Sequence, residues 1–109
     1  MSSRPPLDVA TADWHIVQSV LRKYIPNLTV WAFGSRARRT AKQFSDLDLA
    51  IISEQPMGLD LTAKLAEAFA ESDLPYKVDL VDWATTHESF KRIIERDKVV
   101  VQCGTTTAE

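Results

Sequence analysis

Apolar residues along the chain change between helical and strand spacing, and this alternation predicts an α/β domain. In the segment 11–24, Trp14, Val17 and Leu21 recur every three to four residues, which is typical of one face of a helix. The apolar run 28–33 has the length and composition of a buried strand. The whole pattern predicts, in chain order, a helix at 11–24, a strand at 28–33, a short helix at 36–41, a strand at 46–52, a helix at 59–71, a strand at 76–82, a helix after residue 88 and an extended segment at 99–101.

Polar and apolar residues alternate in the strand predicted at 46–52. Side chains of a strand point alternately to the two faces of a sheet, so residues two apart share a face. The two expected faces are Leu47, Leu49 and Ile51 on one side, and Asp46, Asp48, Ala50 and Ile52 on the other. We expect a small sheet covered by helices, although periodicity alone does not determine which strands run parallel.

Two helix starts are predicted from side chains that can accept a backbone N–H bond. Thr11 is placed to cap the first helix. Thr85 and Glu88 have the spacing of a capping box, which predicts a helix beginning between them.

The composition is that of a single globular domain with no general affinity for polyanions. The chain has 109 residues, 45% of them apolar, and a net charge of −2, so we expect no direct binding to nucleic acid. Cys103 is the only cysteine, which excludes an intrachain disulfide. The chain shows neither a signal peptide nor an apolar run long enough for a membrane helix, and we expect a cytoplasmic protein. We expect one domain over 1–109, with a flexible arm at 1–8 and a flexible tail at 102–109.

Candidate chemistry begins with Asp46 and Asp48, which are one residue apart at the start of a strand. Carboxylates on one face of a strand repel each other unless a cation lies between them, and oxygen ligands suit Mg²⁺. A solvated strand start is the alternative interpretation. We favour the metal pair because a Gly-Ser turn and a basic stretch precede it.

The turn Gly34-Ser35 lies ten residues upstream of Asp46. Glycine permits backbone angles that other residues resist, and backbone N–H groups at a helix start can bind a phosphate. Arg36 or Arg38 is the expected phosphate contact, since a guanidinium donates two parallel bonds. Basic residues of the stretch 36–42 can equally be a solvated helix face.

Asp79 lies inside the apolar strand 76–82, where an unpaired carboxylate would be costly. It is expected to face the aspartate pair, as a metal ligand or as the group that accepts a proton from an attacking hydroxyl. The alternative is an ordinary residue near a strand end. Asp82 should point to the opposite face, as a cap or turn residue. His15 and His87 have no partner at metal-ligand spacing and are expected to be surface or structural residues.

Taken together, these motifs resemble those of a known family. Gly34-Ser35-Arg36-Ala37-Arg38, followed by the segment 45–51 and by Asp79 within 78–82, is similar to the signature of the minimal nucleotidyltransferases (MNT) of the DNA polymerase beta-like superfamily. The resemblance spans roughly 10–101. Family members often have Gly where this chain has Arg39, which would be strained if that turn needs a positive φ and unstrained if the position is helical.

The resemblance implies a small mixed β-sheet flanked by helices, Mg²⁺ (two ions) and ATP as substrate. It implies that Asp46, Asp48 and Asp79 are catalytic and bind the metal, and that Gly34 and Ser35 bind the triphosphate. Arg36 and Arg38, the candidates from the basic stretch, complete the expected set of nucleotide-binding residues. The resemblance also implies that the chain is an antitoxin, whose partner is an HEPN-domain ribonuclease toxin. Such an antitoxin transfers AMP from Mg-ATP to a hydroxyl of the toxin, expected to be that of a tyrosine. Two alternatives stay open: an antitoxin that neutralises its toxin by binding alone, and a nucleotidyltransferase that modifies a small molecule.

Overall fold

Four strands form one sheet, and helices cover both of its faces. The structure is a computed structural model that describes residues 5–104. Within those residues, no helix combines the length and the apolar character that a membrane crossing demands. The elements are α1 (Thr11–Tyr24), β1 (Thr29–Phe33), α2 (Ser35–Arg38), β2 (Leu47–Ile52), α3 (Leu59–Ala70), β3 (Val78–Asp82), a 3₁₀ turn (Trp83–Thr85), α4 (Glu88–Asp97) and β4 (Val99–Gln102).

The sheet is mixed, as the resemblance implied. Its strand order is β3-β2-β1-β4. Strand β1 pairs antiparallel with both β2 and β4. Strands β2 and β3 are parallel, because α3 carries the chain back across one face between them.

Helices α1 and α3 cover one face of the sheet, and the alternation of β2 fits this face. Leu47, Leu49 and Ile51 are completely buried there, together with residues of both helices. Full burial of one such side chain contributes roughly 1.5–3 kcal/mol. The predicted assignment of these three residues to one core face is therefore confirmed.

Helix α4 covers only part of the other face. Phe33, Ala50 and Ile94 form a second, smaller buried cluster. Trp31 and Trp83 pack against it in an edge-to-face pair with centroids 5.3 Å apart. Asp48 belongs to this face by its register, since it lies two residues before Ala50 in the same strand.

Both helix-cap predictions are wrong in position. The N-cap of α1 is Ala10, and Thr11 is already the first helical residue. Thr85 lies in the 3₁₀ turn, and α4 is instead capped by His87, whose Nδ1 accepts the N–H of Ser89 at 3.4 Å. Thr85 lies two residues before His87, inside the 3₁₀ turn, so His87 and not Thr85 caps α4.

Parts of the predicted arm and tail contact the rest of the domain. Leu7 is buried in the main core, and the N–H of Asp8 donates to the carbonyl of Arg36. At the other end, the Gln102 side chain donates to the carbonyls of Ile25 and Leu28. Residues 7–8 and 102 therefore pack against the domain, whereas 1–4 and 105–109 lie outside the described residues.

Candidate active site

Gly34 forms the turn between β1 and α2, and its backbone lies against Asp48. Its φ of 79° is in the region that favours glycine. A Cβ at this position would overlap Oδ2 of Asp48. Ser35 follows as the first residue of α2, where backbone N–H groups lack helical partners and can meet an anion. The turn and the carboxylate therefore form one compact unit.

Asp48 and Asp79 lie side by side on the parallel strands β2 and β3. They are register partners, and both are half-buried. Burial, then the charge of Asp79 and then that of Asp46 raise the pKa of Asp48 from 3.8 to about 6. The nearby Arg38 charge opposes this rise. A second carboxylate nearby disfavours the ionised form of a carboxyl group.

Asp46 and Asp82, the other two acids near the Asp48–Asp79 pair, have different roles. Asp46 is exposed just before β2, where its charge still acts on Asp48. Asp82 accepts the N–H groups of Met57, at 3.0 Å, and Ala84, at 3.2 Å. The prediction that Asp82 is a cap or turn residue is confirmed.

The donor chemistry of the site fits a hard cation. Carboxylate oxygens are the ligands Mg²⁺ prefers, and a cation would relieve the repulsion that raises the pKa of Asp48. Across residues 5–104, no three acidic, histidine or cysteine side chains already converge as a metal cluster. The structure thus places Asp79 beside Asp48 on neighbouring strands, while Asp46 acts on Asp48 through its charge.

Arg36 has a structural position that differs from the predicted phosphate contact. Its side chain is buried, and Nε and Nη1 donate to the carbonyls of Ser45, at 2.9 Å, and Asp8, at 2.7 Å. Nη2 donates to Lys42 and Gln43, at 3.4 and 3.1 Å. The guanidinium is thereby committed to the loop that precedes β2, and the expectation that it contacts phosphate does not agree with this placement.

The ring of Tyr76 packs against the guanidinium of Arg36. The guanidinium carbon lies 3.7 Å from the ring centroid, within the range of a cation–π contact. Burial raises the pKa of the Tyr76 phenol to about 12. The buried Arg36 side chain therefore stabilises the loop before β2, which positions Asp46 near the site.

Arg38 and Arg39 remain at the surface beside the turn. Arg38 is the last residue of α2, and its Nη1 forms an ion pair with Asp97 at 2.9 Å. Arg39 has a φ of 65°, in the left-handed region, and pairs with Asp8 at 3.4 Å. The short helix predicted at 36–41 thus ends at Arg38, and the positive φ excludes the helical alternative for Arg39.

Two acids that contact this region were not singled out from the sequence. Asp8 lies in a segment expected to be flexible, and its carbonyl and carboxylate contact Arg36, Arg39 and the backbone of Ala41. Asp97 is the last residue of α4, in which most other polar residues are exposed. Neither has a local sequence signal for this role, because the arginines that they contact near the turn are distant in the chain.

Comparison with known proteins agrees with these features. The family model described as polymerase beta, nucleotidyltransferase, matches residues 16–105. The chain is also 50% identical over 109 residues to the probable protein adenylyltransferase MntA of Haemophilus influenzae, covering 100% of this chain and 96% of that relative.

Solved structures show the same fold. One is the crystal structure of a toxin–antitoxin with AMP-PNP, which is 25% identical, has a TM-score of 0.71, and is matched over 84% of this chain and 73% of that chain. A second is a tri-AMPylated HEPN toxin in complex with its MNT antitoxin from Shewanella oneidensis, which is 23% identical with a TM-score of 0.64, over 83% of this chain and 69% of that chain. At that identity, the second likeness concerns the fold alone.

Proposed function

The chain belongs to the polymerase beta nucleotidyltransferase family, and on that premise we propose that it transfers AMP from Mg-ATP to a hydroxyl of a partner toxin. The relative from Haemophilus influenzae is named a probable protein adenylyltransferase, and a toxin–antitoxin of the same fold was solved with AMP-PNP. The observation that carries the proposal is the Asp48–Asp79 pair placed directly against the Gly34 turn.

The proposed reaction is an in-line displacement at the α-phosphorus of ATP. The acceptor oxygen forms the new O–P bond while the bond from that phosphorus to pyrophosphate breaks. Asp79 accepts the hydroxyl proton, and pyrophosphate leaves with the bonding electrons. The backbone of Gly34-Ser35 and the guanidinium of Arg38 hold the triphosphate in line.

Asp46, Asp48 and Asp79 are the residues that would hold magnesium, two ions in the proposed site. Bound there, Mg²⁺ would neutralise negative charge on the phosphate oxygens as the leaving group departs. Its binding would also keep Asp48 ionised at neutral pH, in spite of the repulsion from Asp79.

We propose an HEPN-domain ribonuclease toxin as the acceptor, with a tyrosine hydroxyl as the nucleophile. The described fold consists of one sheet and its covering helices, and the open part of the Asp48 face lies beside α4. Such an arrangement leaves the acceptor to be held by another chain. We propose that both proteins act in the cytoplasm.

Intact mass spectrometry of the toxin tests this function. The purified protein, Mg-ATP and the toxin encoded beside it are mixed, and the toxin is weighed with and without ATP. We expect added AMP units and loss of ribonuclease activity. An unchanged toxin mass with full ribonuclease activity would reject the transfer.

A variant separates transfer from neutralisation by binding. Asp46→Asn with Asp48→Asn keeps side-chain volume and removes both charges. We expect this double variant to leave the toxin unmodified and to fail to protect cells. Protection by the unmodified complex would show that binding alone is the mechanism.

A further inference from the structure

Asp97 carries its carboxylate at a position where a negative charge is unfavourable. It is the last residue of α4, where the helix dipole presents partial negative charge. Its side chain is only 5% exposed, so solvent does little to stabilise its charge. A buried carboxylate at such a position requires cations close to it.

Two arginines supply those cations. Nη1 of Arg38 lies 2.9 Å from Asp97 Oδ2, and Nε of Arg96 lies 3.1 Å from Oδ1. Burial alone would raise the pKa of Asp97, but the hydrogen bonds and charges of Arg96 and Arg38 hold it below its ordinary value. Asp97 is therefore ionised at neutral pH.

The two arginines differ in what else they approach. Arg96 is the chain neighbour of Asp97 and is 67% exposed. Arg38 is 59 positions away and ends the short helix that starts at Ser35. Its charge acts on Asp48. The Arg38–Asp97 pair thus connects α4 to the turn beside the acidic pair.

Arg38 keeps the capacity to bind an anion while it is anchored. A guanidinium has five N–H donors in a planar fork, and the bond to Asp97 uses Nη1. The side chain is 48% exposed. Fixing a flexible arginine before the ligand arrives reduces the entropy lost on binding.

We propose that Asp97 is a positioning residue, which holds the Arg38 guanidinium beside the Gly34 turn so that its remaining N–H groups face the triphosphate. This inference rests on the proposed nucleotidyl transfer, since it assigns Arg38 a substrate phosphate. Asp97 acts through Arg38 and does not itself touch the nucleotide.

A double-mutant cycle on nucleotide binding tests the inference. Calorimetry measures the affinity of wild type, Arg38→Gln, Asp97→Asn and the double variant for Mg-AMP-PNP, which binds without transfer. We expect each single change to weaken binding by about tenfold, within the range of coupling measured for residues in contact. The double variant should be no weaker than Arg38→Gln alone, because Asp97 has no other route to the ligand.

Arg96→Gln is the matched control. It removes the other arginine from the same carboxylate without changing Arg38, so affinity should stay within about twofold of wild type. If Asp97→Asn does not fold, Asp97→Glu carries the test. That variant keeps the ion pair but displaces the guanidinium, so transfer should slow by at least about tenfold while the melting temperature stays near wild type.

The outcomes are separable. Wild-type affinity in Asp97→Asn, additive losses in the double variant, or a wild-type rate in a folded Asp97→Glu would each overturn the role of Asp97. If the wild-type protein itself does not bind Mg-AMP-PNP, the proposed nucleotidyl transfer fails instead.

Discussion

Asp48 and Asp79 are register partners on parallel strands, and both side chains are half-buried. This pairing brings together two acids that are 31 positions apart in the chain. Burial makes ionisation of Asp48 less favourable, and the charge of Asp79 adds to the effect. The protein keeps this repulsion within its fold, which is typical of a site built to hold a cation or to exchange a proton.

Asp48→Asn should make the protein more stable at neutral pH when divalent ions are absent. The pKa of Asp48 is about 6 in the folded state and roughly 3.9 when unfolded. Between these two pH values, the folded wild-type protein binds more protons than the unfolded protein. The free energy of unfolding of wild type, relative to that of the variant, therefore falls as pH rises through this window and then levels off.

Thermal unfolding in chelator checks this sign. The full shift would amount to about 3 kcal/mol, and screening of a half-exposed carboxyl reduces this to about 1 kcal/mol. The variant should melt roughly 4–8 °C above wild type at pH 7.5 and without such an advantage at pH 4. A constant difference across the range would mean that the ionisation of Asp48 is not responsible.

Gly34→Ala should abolish activity and destabilise the fold. The new methyl group would overlap Oδ2 of Asp48, and the φ of 79° adds backbone strain. Gly58→Ala is the control, since Gly58 also has a positive φ, of 87°, but nothing lies within 4 Å of a Cβ there. We expect the control to lose about 1 kcal/mol of stability and to keep AMP transfer. Equal effects in the two variants would show that the contact with Asp48 is unimportant.

Arg36→Met should unfold the loop before β2. The change leaves the carbonyls of Asp8, Lys42, Gln43 and Ser45 without their guanidinium donor, and we expect a loss of about 2–4 kcal/mol by denaturant titration. The exposed Arg92 provides the control, where the same substitution should cost under about 0.5 kcal/mol. A stable Arg36→Met protein that merely binds nucleotide less well would restore the phosphate-contact interpretation.

Arg39→Gly should stabilise the protein by about 0.5–1 kcal/mol. The residue adopts a left-handed conformation, with φ 65°, and glycine removes its steric cost. The exposed ion pair with Asp8 is a small loss by comparison. Arg39→Ala removes the same side chain without that relief, so denaturant titration should show no gain there. A gain in both variants would trace the effect to the side chain and not to the backbone.

Local patterns were sufficient for much of the architecture. The alternation in 46–52 correctly assigned Leu47, Leu49 and Ile51 to a buried face, because a half-buried strand requires that period. The Asp46, Asp48, Asp79 and Gly34-Ser35 motifs pointed to one site through their resemblance to a family. The resemblance implied a mixed sheet, whereas the parallel pairing of β2 with β3 was not predicted from the sequence.

Interactions between distant segments could not be predicted in this way. Arg36 and Arg38 belong to the same short basic run, yet one is buried among carbonyls and the other is half-exposed beside Asp97. Nothing in their neighbours distinguishes them. The position of Asp8 beside Arg36 also depends on tertiary packing. The proline-containing sequence around it is typical of a mobile terminal segment and does not predict this contact.

The most direct test compares Asp79→Asn with Asp82→Asn in single-turnover AMP transfer to the toxin. Both residues belong to β3, but Asp79 is the register partner of Asp48, whereas Asp82 accepts N–H groups from Met57 and Ala84. We predict that Asp79→Asn slows transfer by about 10²–10⁴-fold with toxin binding intact, while folded Asp82→Asn transfers at nearly the wild-type rate. Transfer at the wild-type rate by Asp79→Asn would contradict the assignment of the reaction to this face of the sheet.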